Sequence, residues 1–399
     1  MIPIKKIIKS FLFFIKIKKY DIVFVYLNHF NRGIKNENYF LIPFLEICRK
    51  NDLSYIMIEE TDLKGAYSNY PRNNDAIPLD FITLLQVFLR KLYKLKSKNY
   101  RDYYEREVKI SNRIKFFFLR NFEAKNFILL AHNNAVLWRT VCPDAKIFDY
   151  QHGMIWNGHD GTLVNGIPAP VKTFNNIISL LYGEGFQRVL LENDKTGFYN
   201  KDTAPVIGFY HEIEKYKKSA NNKCILYTLQ NVDLDTNEHY YSTTLQVIDA
   251  LRPFAENHNY RIYIKNHPRY DINDPLPLEV DLSNIQILDD NVSILDIQHE
   301  ISIHITSKST TAFDLALKGI PTIFIDMLEE RSPFNMFFQQ YHYPLHDFRV
   351  SDPDQLAGLL HKLENLEYYS KSCLSVYEWA CGFYQKFDEK LFLTMIGHT

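Results

Sequence analysis

Short apolar runs alternate with longer amphipathic stretches over most of the chain. Residues 21–27 (DIVFVYL) and 54–58 (SYIMI) are rich in β-branched and aromatic side chains, which is typical of buried strands. Between them, residues 38–50 place apolar positions at helical spacing. A strand, a helix and a second strand in this order predict a βαβ unit and therefore a parallel sheet.

The same alternation continues and then restarts after a segment that is first charged and then small and polar. We interpret this segment, residues 212–223, as a linker. Residues 88–122 have a helical pattern, and further helices are predicted at 239–258, 293–300 and 310–318. Further strands are predicted at 127–130, 146–150, 224–228, 260–265, 285–288, 302–305 and 322–325.

The pattern predicts an α/β protein with two Rossmann-like domains. The first covers residues 1–211 and the second residues 224–365, and helices over 366–399 are expected to cross back over both. Ligands of open α/β sheets bind at the carboxyl ends of the strands, so two such domains facing each other place their ligands in one cleft. Motifs that directly follow predicted strands are therefore the candidates for function.

Composition and charge narrow the classes of protein. The chain has 399 residues, of which 46% are hydrophobic, and this length suits two domains of roughly 200 residues. A formal net charge of -1 argues against a dedicated nucleic-acid binder. Five scattered cysteines without a CxxC pair indicate neither a zinc site nor a disulfide framework and are typical of the reducing cytoplasm.

The first 20 residues combine six lysines with apolar side chains. The longest uncharged run, residues 10–15, is far shorter than the roughly 20 residues of a membrane-spanning helix. The segment also lacks the small-residue cleavage site of a signal peptide. Two interpretations stay open, for this segment and for the basic, aromatic residues 88–122: helices packed on the fold, or a surface for an anionic partner such as the cytoplasmic face of the inner membrane.

Two motifs in the second half are suited to binding a phosphate. Lys265, His267, Pro268 and Arg269 follow a predicted strand, and Pro268 favours an extended His267 whose imidazole can donate to a phosphate or carboxylate. Residues 306–311 (TSKSTT) then place five hydroxyl groups where a strand turns into a helix, more than one N-cap requires. The candidate donor ligands here are Ser307, Lys308, Ser309, Thr310, Thr311 and, within the helix, Asp314.

A third motif, Leu229-Gln230-Asn231-Val232-Asp233-Leu234-Asp235, follows the first strand of the second half. The Asp-x-Asp spacing suits a metal, but oxygen-ligand sites usually recruit further carboxylates and no dense cluster is visible. Asp233 can instead act as a nucleophile or a general base beside an anomeric carbon, whereas Asp235 suits an acidic turn. We expect no metal and no cofactor.

A fourth motif, Gln151-His152-Gly153, follows a late strand of the first half, with His159 and Asp160 downstream. His152, His159 and Asp160 are candidates for general acid or base, and a polar surface loop is the alternative. The spacing of the two histidines fits no standard pair of zinc ligands. On the acceptor side we place Gln151 and Gly153, together with Asn28 and His29, which follow the first strand.

Together the four motifs resemble bacterial GT-B glycosyltransferases that use cytidine nucleotides: capsule Kdo transferases, polysialyltransferases and glycerophosphate polymerases. In that group the His-Pro and Ser/Thr elements hold the cytidine phosphate of the donor. The resemblance implies this role for His267, Pro268, Ser307, Ser309 and Thr310. It covers about residues 145–326, and the first 125 residues match no family, as expected of a domain that binds a variable acceptor.

The run Gln230-x-x-Asp233 is similar to that of β-Kdo transferases of capsule and lipopolysaccharide synthesis. Those retaining enzymes use the matching aspartate as a nucleophile that forms a glycosyl-enzyme adduct, which implies this role for Asp233. The resemblance also implies a glutamate acid/base in the loop from Gln151 to Gly166, and none is present there. His159 or Asp160 must then serve.

The expected activity is transfer of Kdo from its CMP ester to a glycan acceptor of the bacterial surface, with retention of configuration. Three alternatives remain: an inverting sialyl or nonulosonate transferase with Asp233 or His152 as base, glycerophosphate transfer from CDP-glycerol, and a non-enzymatic binding module. The expected partners are the nucleotide donor and an oligosaccharide or lipid-linked acceptor.

Overall fold

The chain forms two compact units in the computed structural model. Unit 1 comprises Met1–Glu212 and Gln385–Thr399, and unit 2 comprises Ile213–Tyr384. The chain therefore leaves unit 1 once and returns to it for its last residues. The structure describes residues 4–14, 16, 18–31, 37–60, 71–93, 98–131, 134–216, 222–229, 237–265, 285–288, 292, 294–327 and 332–398.

The described part of unit 1 contains a sheet of six parallel strands. In chain order these are β1 (Lys18–Leu27), β2 (Tyr55–Glu60), β3 (Ile77–Pro78), β4 (Phe122–Leu130), β5 (Lys146–Tyr150) and, after a short antiparallel hairpin of β6 (Leu163–Val164) and β7 (Ile167–Pro168), β8 (Ile177–Leu180). Their order across the sheet is β3-β2-β1-β4-β5-β8.

Both faces of this sheet are covered, which explains the continuous apolar run in β1. Val23 and Val25 belong to the core on one face, and Phe24 points to the other face, where its ring lies 6.2 Å from that of Phe44. Successive side chains of a strand alternate between faces, so a strand buried on both reads as unbroken apolar sequence. The helices of the unit are α1 (Ile4–Phe14), α2 (Ile42–Lys50), α3 (Asp80–Tyr93), α4 (Tyr100–Ile114), α5 (Ala135–Val141), α6 (Pro170–Asn175), α7 (Glu184–Asn193) and the last helix of the chain (Glu389–Ile396).

Unit 2 repeats the same topology. Its strands are β9 (Cys224–Thr228), β10 (Arg261–Lys265), β11 (Ile285–Leu288), β12 (Ile303–Thr306), β13 (Thr322–Ile325) and β14 (Arg349–Val350), all parallel and ordered β11-β10-β9-β12-β13-β14. Its helices are α8 (Asn237–His258), α9 (Ile294–Ile297), α10 (Thr311–Ala316), α11 (Pro353–Leu363) and α12 (Leu366–Cys381). The last helix of the chain, Glu389–Ile396, belongs to unit 1 and is called α13. The predicted α/β class with two Rossmann-like domains is confirmed.

Several elements differ in extent from their predictions. The helical pattern over 88–122 corresponds to the end of α3, to α4 and to a π-helical segment, Lys115–Leu119. Strand β4 starts at Phe122, five residues before its predicted start, because its first residues pair with Lys18–Tyr20 of β1. Among the described helices, none combines the length and apolarity needed to cross a membrane.

Candidate functional site

The topology of unit 2 identifies one edge of its sheet for ligand binding. If the six strands of unit 2 are numbered 1 to 6 along the chain, their order across the sheet is 3-2-1-4-5-6. After β9 the chain continues toward one edge of the sheet, and after the neighbouring strand β12 it continues toward the opposite edge. Beyond the carboxyl ends of these two strands lies the topological switch point, the usual binding place in open α/β sheets. The loop after β9 starts against β10, since the Leu229 amide donates to the Lys265 carbonyl at 2.9 Å.

A buried chain of polar side chains fixes the strands beneath this switch point. Thr228 Oγ1 lies 2.9 Å from His304 Nε2, and His304 Nδ1 lies 2.9 Å from Thr322 Oγ1. Burial lowers the pKa of His304 to about 3, so the ring is neutral and can donate through one nitrogen and accept through the other. Thr306 Oγ1 donates to the Thr228 carbonyl at 3.1 Å, which adds a second tie between β9 and β12. These residues therefore hold the edge rigidly and have a structural role.

In the hydroxyl-rich segment after β12, some hydroxyl groups make hydrogen bonds that shape the start of α10, and others can face a ligand. Ser309 Oγ accepts from the Thr311 amide at 3.2 Å and donates to Thr311 Oγ1 at 3.0 Å, so both hydroxyls organise the start of α10. Thr310 is exposed, and its side chain makes no capping hydrogen bond. Ser307 is 5% exposed and has no hydrogen-bond partner among the described residues. Ser307 and Thr310 are thus the hydroxyls that can turn to a ligand.

Asp314 and the two lysines of the predicted donor site have different surroundings. Asp314 is partly buried in α10, with the Tyr384 hydroxyl 3.5 Å from its Oδ1, and burial raises its pKa to about 6. Lys265 ends β10 and is buried, and Lys308 follows Ser307 and is half-buried. Contact of these three side chains with a nucleotide stays a prediction. Outside the described residues lie Gln230, Asp233, His267, Pro268 and Arg269.

At the carboxyl edge of unit 1, the loops after β1 and β5 meet. The rings of His29 and Phe30 lie 4.2 Å apart, and the Phe30 ring lies 5.3 Å from that of His152 in an edge-on arrangement. Asn28 precedes them and is buried at the end of β1. The structure therefore brings together three of the predicted residues, Asn28, His29 and His152, through Phe30.

Gln151 supports the turn in which His152 lies. Its Oε1 accepts from the Tyr182 amide at 3.0 Å, and its Nε2 donates to the Gly153 carbonyl at 2.9 Å. The side-chain amide thus joins the end of β5 to the residues after β8 and closes the turn at Gly153. Direct contact of Gln151 or Gly153 with an acceptor stays a prediction.

His159 and Asp160 lie further along, in a turn that precedes β6. The His159 amide donates to the Leu163 carbonyl at 3.0 Å, and its ring Nδ1 lies 3.3 Å from Thr162 Oγ1. Both His159 and Asp160 are exposed to solvent. A role of His159 or Asp160 in proton transfer stays a prediction.

The structure reveals a carboxyl group that the sequence motifs did not include. Glu60 is the last residue of β2, is 3% exposed, and accepts a hydrogen bond at 3.0 Å from Asn134 Nδ2. Asn134 follows β4, and β1 lies between β2 and β4, so this hydrogen bond passes over the carboxyl end of β1 at the switch point of unit 1. Burial raises the pKa of Glu60 to about 8, against the opposing effect of the Asn134 hydrogen bond.

The neighbouring Glu59 faces the other way and has a structural role. It forms an ion pair with Arg72, and its Oε2 accepts from Asn31 Nδ2 at 2.6 Å and from the Asn73 amide at 2.9 Å. Arg72 also pairs with Asp80 at 3.2 Å. A pair of glutamates directly after a predicted strand is the signal that points to Glu60, although only the fold shows that Glu59 pairs with Arg72 and that Glu60 has no cationic partner among the described residues.

In the described part of the chain, no three His, Cys, Asp or Glu side chains lie close enough together to hold a metal ion. Asp233 and Asp235 lie outside that part, so metal independence stays a prediction.

No protein-family model matches this chain, and neither does any curated protein sequence. Its fold is similar to that of solved enzymes. The UDP-GlcNAc 2-epimerase from Neisseria meningitidis, bound to UDP-GlcNAc, superposes with a TM-score of 0.54 at 10% identity, covering 96% of this chain and 100% of the epimerase. The UDP-GlcNAc 2-epimerase from Methanocaldococcus jannaschii gives 0.51 at 10% identity, with 95% and 100% covered.

The wall teichoic acid polymerase TagF is similar to the same degree, with a TM-score of 0.52 at 14% identity over 98% of this chain and 93% of that chain. At such low identity the likeness defines the fold class: two α/β domains of the GT-B type.

Proposed function

We propose that this protein is a glycosyltransferase that takes its sugar from a nucleotide-activated donor bound at the carboxyl edge of unit 2. The observation that carries the proposal is the switch point between β9 and β12, where Ser307 presents a hydroxyl without a partner among the described residues. The loops that leave β9 and β10 at the same edge contain Asp233 and His267. The fold shared with the epimerases and the polymerase supports a nucleotide-linked substrate.

We propose a CMP ester of Kdo, or of a related nonulosonic acid, as the donor. Loss of CMP requires stabilisation of a departing phosphate, for which His267, Lys308 and the Ser307 hydroxyl are available. The carboxylate of such a sugar needs a cationic partner, and we propose Lys265, which ends β10, and Arg269, which follows it in the sequence. The motif resemblance supports retention through an adduct on Asp233.

We further propose that unit 1 binds the acceptor and supplies the proton transfer. His152 and Glu60 are the groups suited to it: His152 lies beside the β1 loop, and Glu60 is a buried carboxyl at the switch point. A carboxyl with a pKa near 8 carries its proton at neutral pH, as a general acid requires.

Calorimetry with CMP, CDP and UDP, followed by mass spectrometry of the protein after incubation with CMP-Kdo, CMP-sialic acid and CDP-glycerol, tests this function. We expect the tightest binding for a cytidine nucleotide and a covalent sugar adduct from CMP-Kdo or CMP-sialic acid. Preference for UDP together with no reaction of any cytidine donor would overturn the proposal.

A second candidate is glycerophosphate transfer from CDP-glycerol on the same scaffold, which the similarity to the wall teichoic acid polymerase favours. Release of CMP from CDP-glycerol in the presence of a glycan acceptor, with no release from CMP-Kdo, would establish this alternative. It would leave the nucleotide site in place and remove Asp233 from the mechanism.

His267→Ala is expected to weaken binding of CMP by roughly 1.5–3 kcal/mol, the scale of a charge-assisted hydrogen bond. In the sequence, His267 precedes Pro268 and follows β10, and we propose that its imidazole donates to the donor phosphate. Titration calorimetry measures the change. His258→Ala, on the far end of α8, is the control and should bind CMP as the parent does. Equal affinity of the two variants would remove His267 from the site.

Transfer activity is expected to survive EDTA. Cationic and hydroxyl groups at the edge of unit 2 can stabilise the departing phosphate without a divalent ion. Initial rates with and without chelator, and after addition of Mg²⁺ or Mn²⁺, measure this. Loss of activity with chelator and its recovery with either ion would make Asp233 and Asp235 metal ligands and refute the adduct mechanism.

A further inference from the structure

Exposed apolar side chains concentrate on one part of unit 1. Of the 17 large apolar residues that are exposed in the described chain, nine lie in α1, α3 and the π-helical segment Lys115–Leu119. We call these nine the apolar patch: Ile4, Ile8, Phe11, Leu12, Leu84, Phe88, Leu92, Phe116 and Phe117. Phe116 and Phe117 are 68% and 67% exposed, although large aromatic side chains usually find cover in a soluble domain.

The three elements that carry the patch pack against one another. The Phe11 ring lies 5.1 Å from Phe81 and 6.5 Å from Phe118, and Phe81 and Phe118 are 5.0 Å apart, so rings from all three elements join them together. On α1 the exposed residues recur at positions 4, 8 and 12, and on α3 at 84, 88 and 92. This spacing places each set on one helix face, while the opposite faces are buried in the unit.

The three elements that carry the patch present exposed cations and no exposed acid, and the exposed Asp75 lies at their margin, between two residues whose carbonyls accept from Lys9. Neither α1 nor residues 111–121 contain an acidic residue, and the one acid of α3, Asp80, is buried and paired with Arg72. The cations are plentiful, and the exposed ones are Lys5, Lys9, Lys91, Arg113 and Arg120. Apolar side chains surrounded by cations match a bilayer that contains anionic lipids, which offers hydrocarbon below a layer of negative charge.

We propose that the apolar patch docks this protein on the surface of an anionic lipid bilayer. The aromatic and aliphatic side chains enter the boundary between headgroups and acyl chains, and the lysines and arginines contact the lipid phosphates. A second copy of the chain is a poorer match, because a twofold interface would bring two positively charged patches face to face. The proposal concerns the surface of unit 1 and is independent of the donor chemistry.

Co-sedimentation with vesicles tests the proposal. The wild-type protein is expected to bind vesicles of phosphatidylcholine mixed with phosphatidylglycerol, to bind far less to phosphatidylcholine alone, and to dissociate as salt is raised. Phe116→Ser combined with Phe117→Ser should weaken binding by about tenfold or more. Lys5→Glu combined with Lys91→Glu should weaken it about fivefold or more per reversed charge.

The matched control is Leu366→Ser combined with Leu374→Ser on α12, since these exposed apolar residues lie in unit 2 next to the Glu367–Lys371 ion pair. This variant should bind vesicles as the wild type does, and all variants should melt at the parent temperature. The proposal is overturned if the wild type ignores anionic vesicles, or if the phenylalanine variant binds like the control. Light scattering that shows a dimer lost in the phenylalanine variant, without vesicle binding, would assign the patch to a second copy instead.

Discussion

Asp233→Ala is expected to lose transfer by at least about 10³-fold while still binding CMP, the scale seen when a covalent nucleophile is removed. In the sequence, Asp233 lies four residues after Leu229, which follows β9 and donates its amide to the Lys265 carbonyl of β10. An aspartate with an ordinary pKa near ~4 is ionised at neutral pH and needs no base to attack. The donor phosphate is assigned to other groups, so binding should remain.

The stereochemistry follows from two displacements at the same carbon. Attack of the Asp233 carboxylate on the anomeric carbon forms the C–O bond to the enzyme and expels CMP with its bonding electrons. Attack by the acceptor hydroxyl then breaks that ester, and each step inverts the centre, which gives net retention. In the proposed roles, Glu60 gives its proton to an oxygen of the departing CMP phosphate in the first step, and either the Glu60 carboxylate so formed or His152 accepts the proton of the acceptor hydroxyl in the second.

Peptide mass spectrometry of the protein quenched with CMP-Kdo or CMP-sialic acid locates the adduct, and NMR of the product gives its configuration. Asp235→Ala is the control, since it lies two residues further along, outside the matched run, and should retain most activity. A sugar on a different residue, or a product of inverted configuration, would sink the nucleophile assignment and favour an inverting transferase.

The apolar pattern predicted most of the buried strands. β5, β9 and β13 have the predicted ends, because burial on both faces favours an apolar run whose limits are visible in the sequence. β11 also has the predicted ends, although it is an edge strand whose Gln286 and Ile287 are exposed. β8, a buried strand of four residues, was not predicted, and neither were β6 and β7. β3 and β14 were not predicted either. Each has two residues and is defined by its neighbour in the sheet, and β3 ends in a proline that suits its place at the edge.

The hydrogen-bond partners of the buried polar side chains could not be predicted from the sequence. Thr228, His304 and Thr322 are ordinary strand residues until the sheet order brings their hydroxyls and imidazole together. Gln151 was assigned to the acceptor, and the fold shows that its amide also holds the turn around Gly153. Hydrophobic patterning specifies which positions are buried, whereas pairing of buried polar groups depends on contacts that are distant in sequence.

Glu60 illustrates the same limit, and its burial has a consequence that can be measured without a substrate. Its folded-state pKa is raised from 4.5 to about 8, so the native protein holds a proton that the unfolded chain releases. The contribution of this carboxyl to stability is therefore fully present below about pH 4.5 and is lost as the pH rises through 8. Glutamine has the shape of the protonated carboxyl and keeps the carbonyl that accepts from Asn134.

Glu60→Gln is accordingly expected to match the wild type in stability at pH 5 and to exceed it at pH 9 by a few kcal/mol, several degrees in melting temperature. Scanning fluorimetry at pH 5, 7 and 9 measures the difference, with Glu123→Gln as control because that carboxyl is on the surface of β4, where substitutions change stability by less than about 0.5 kcal/mol. A difference that does not grow with pH would show that Glu60 is ionised in the native protein.

The same variant should lose transfer by roughly 10²–10⁴-fold if Glu60 is the general acid. If Glu60→Gln is stabilised at high pH and keeps full transfer activity, Glu60 has only a structural role, and His152 remains the candidate for proton transfer.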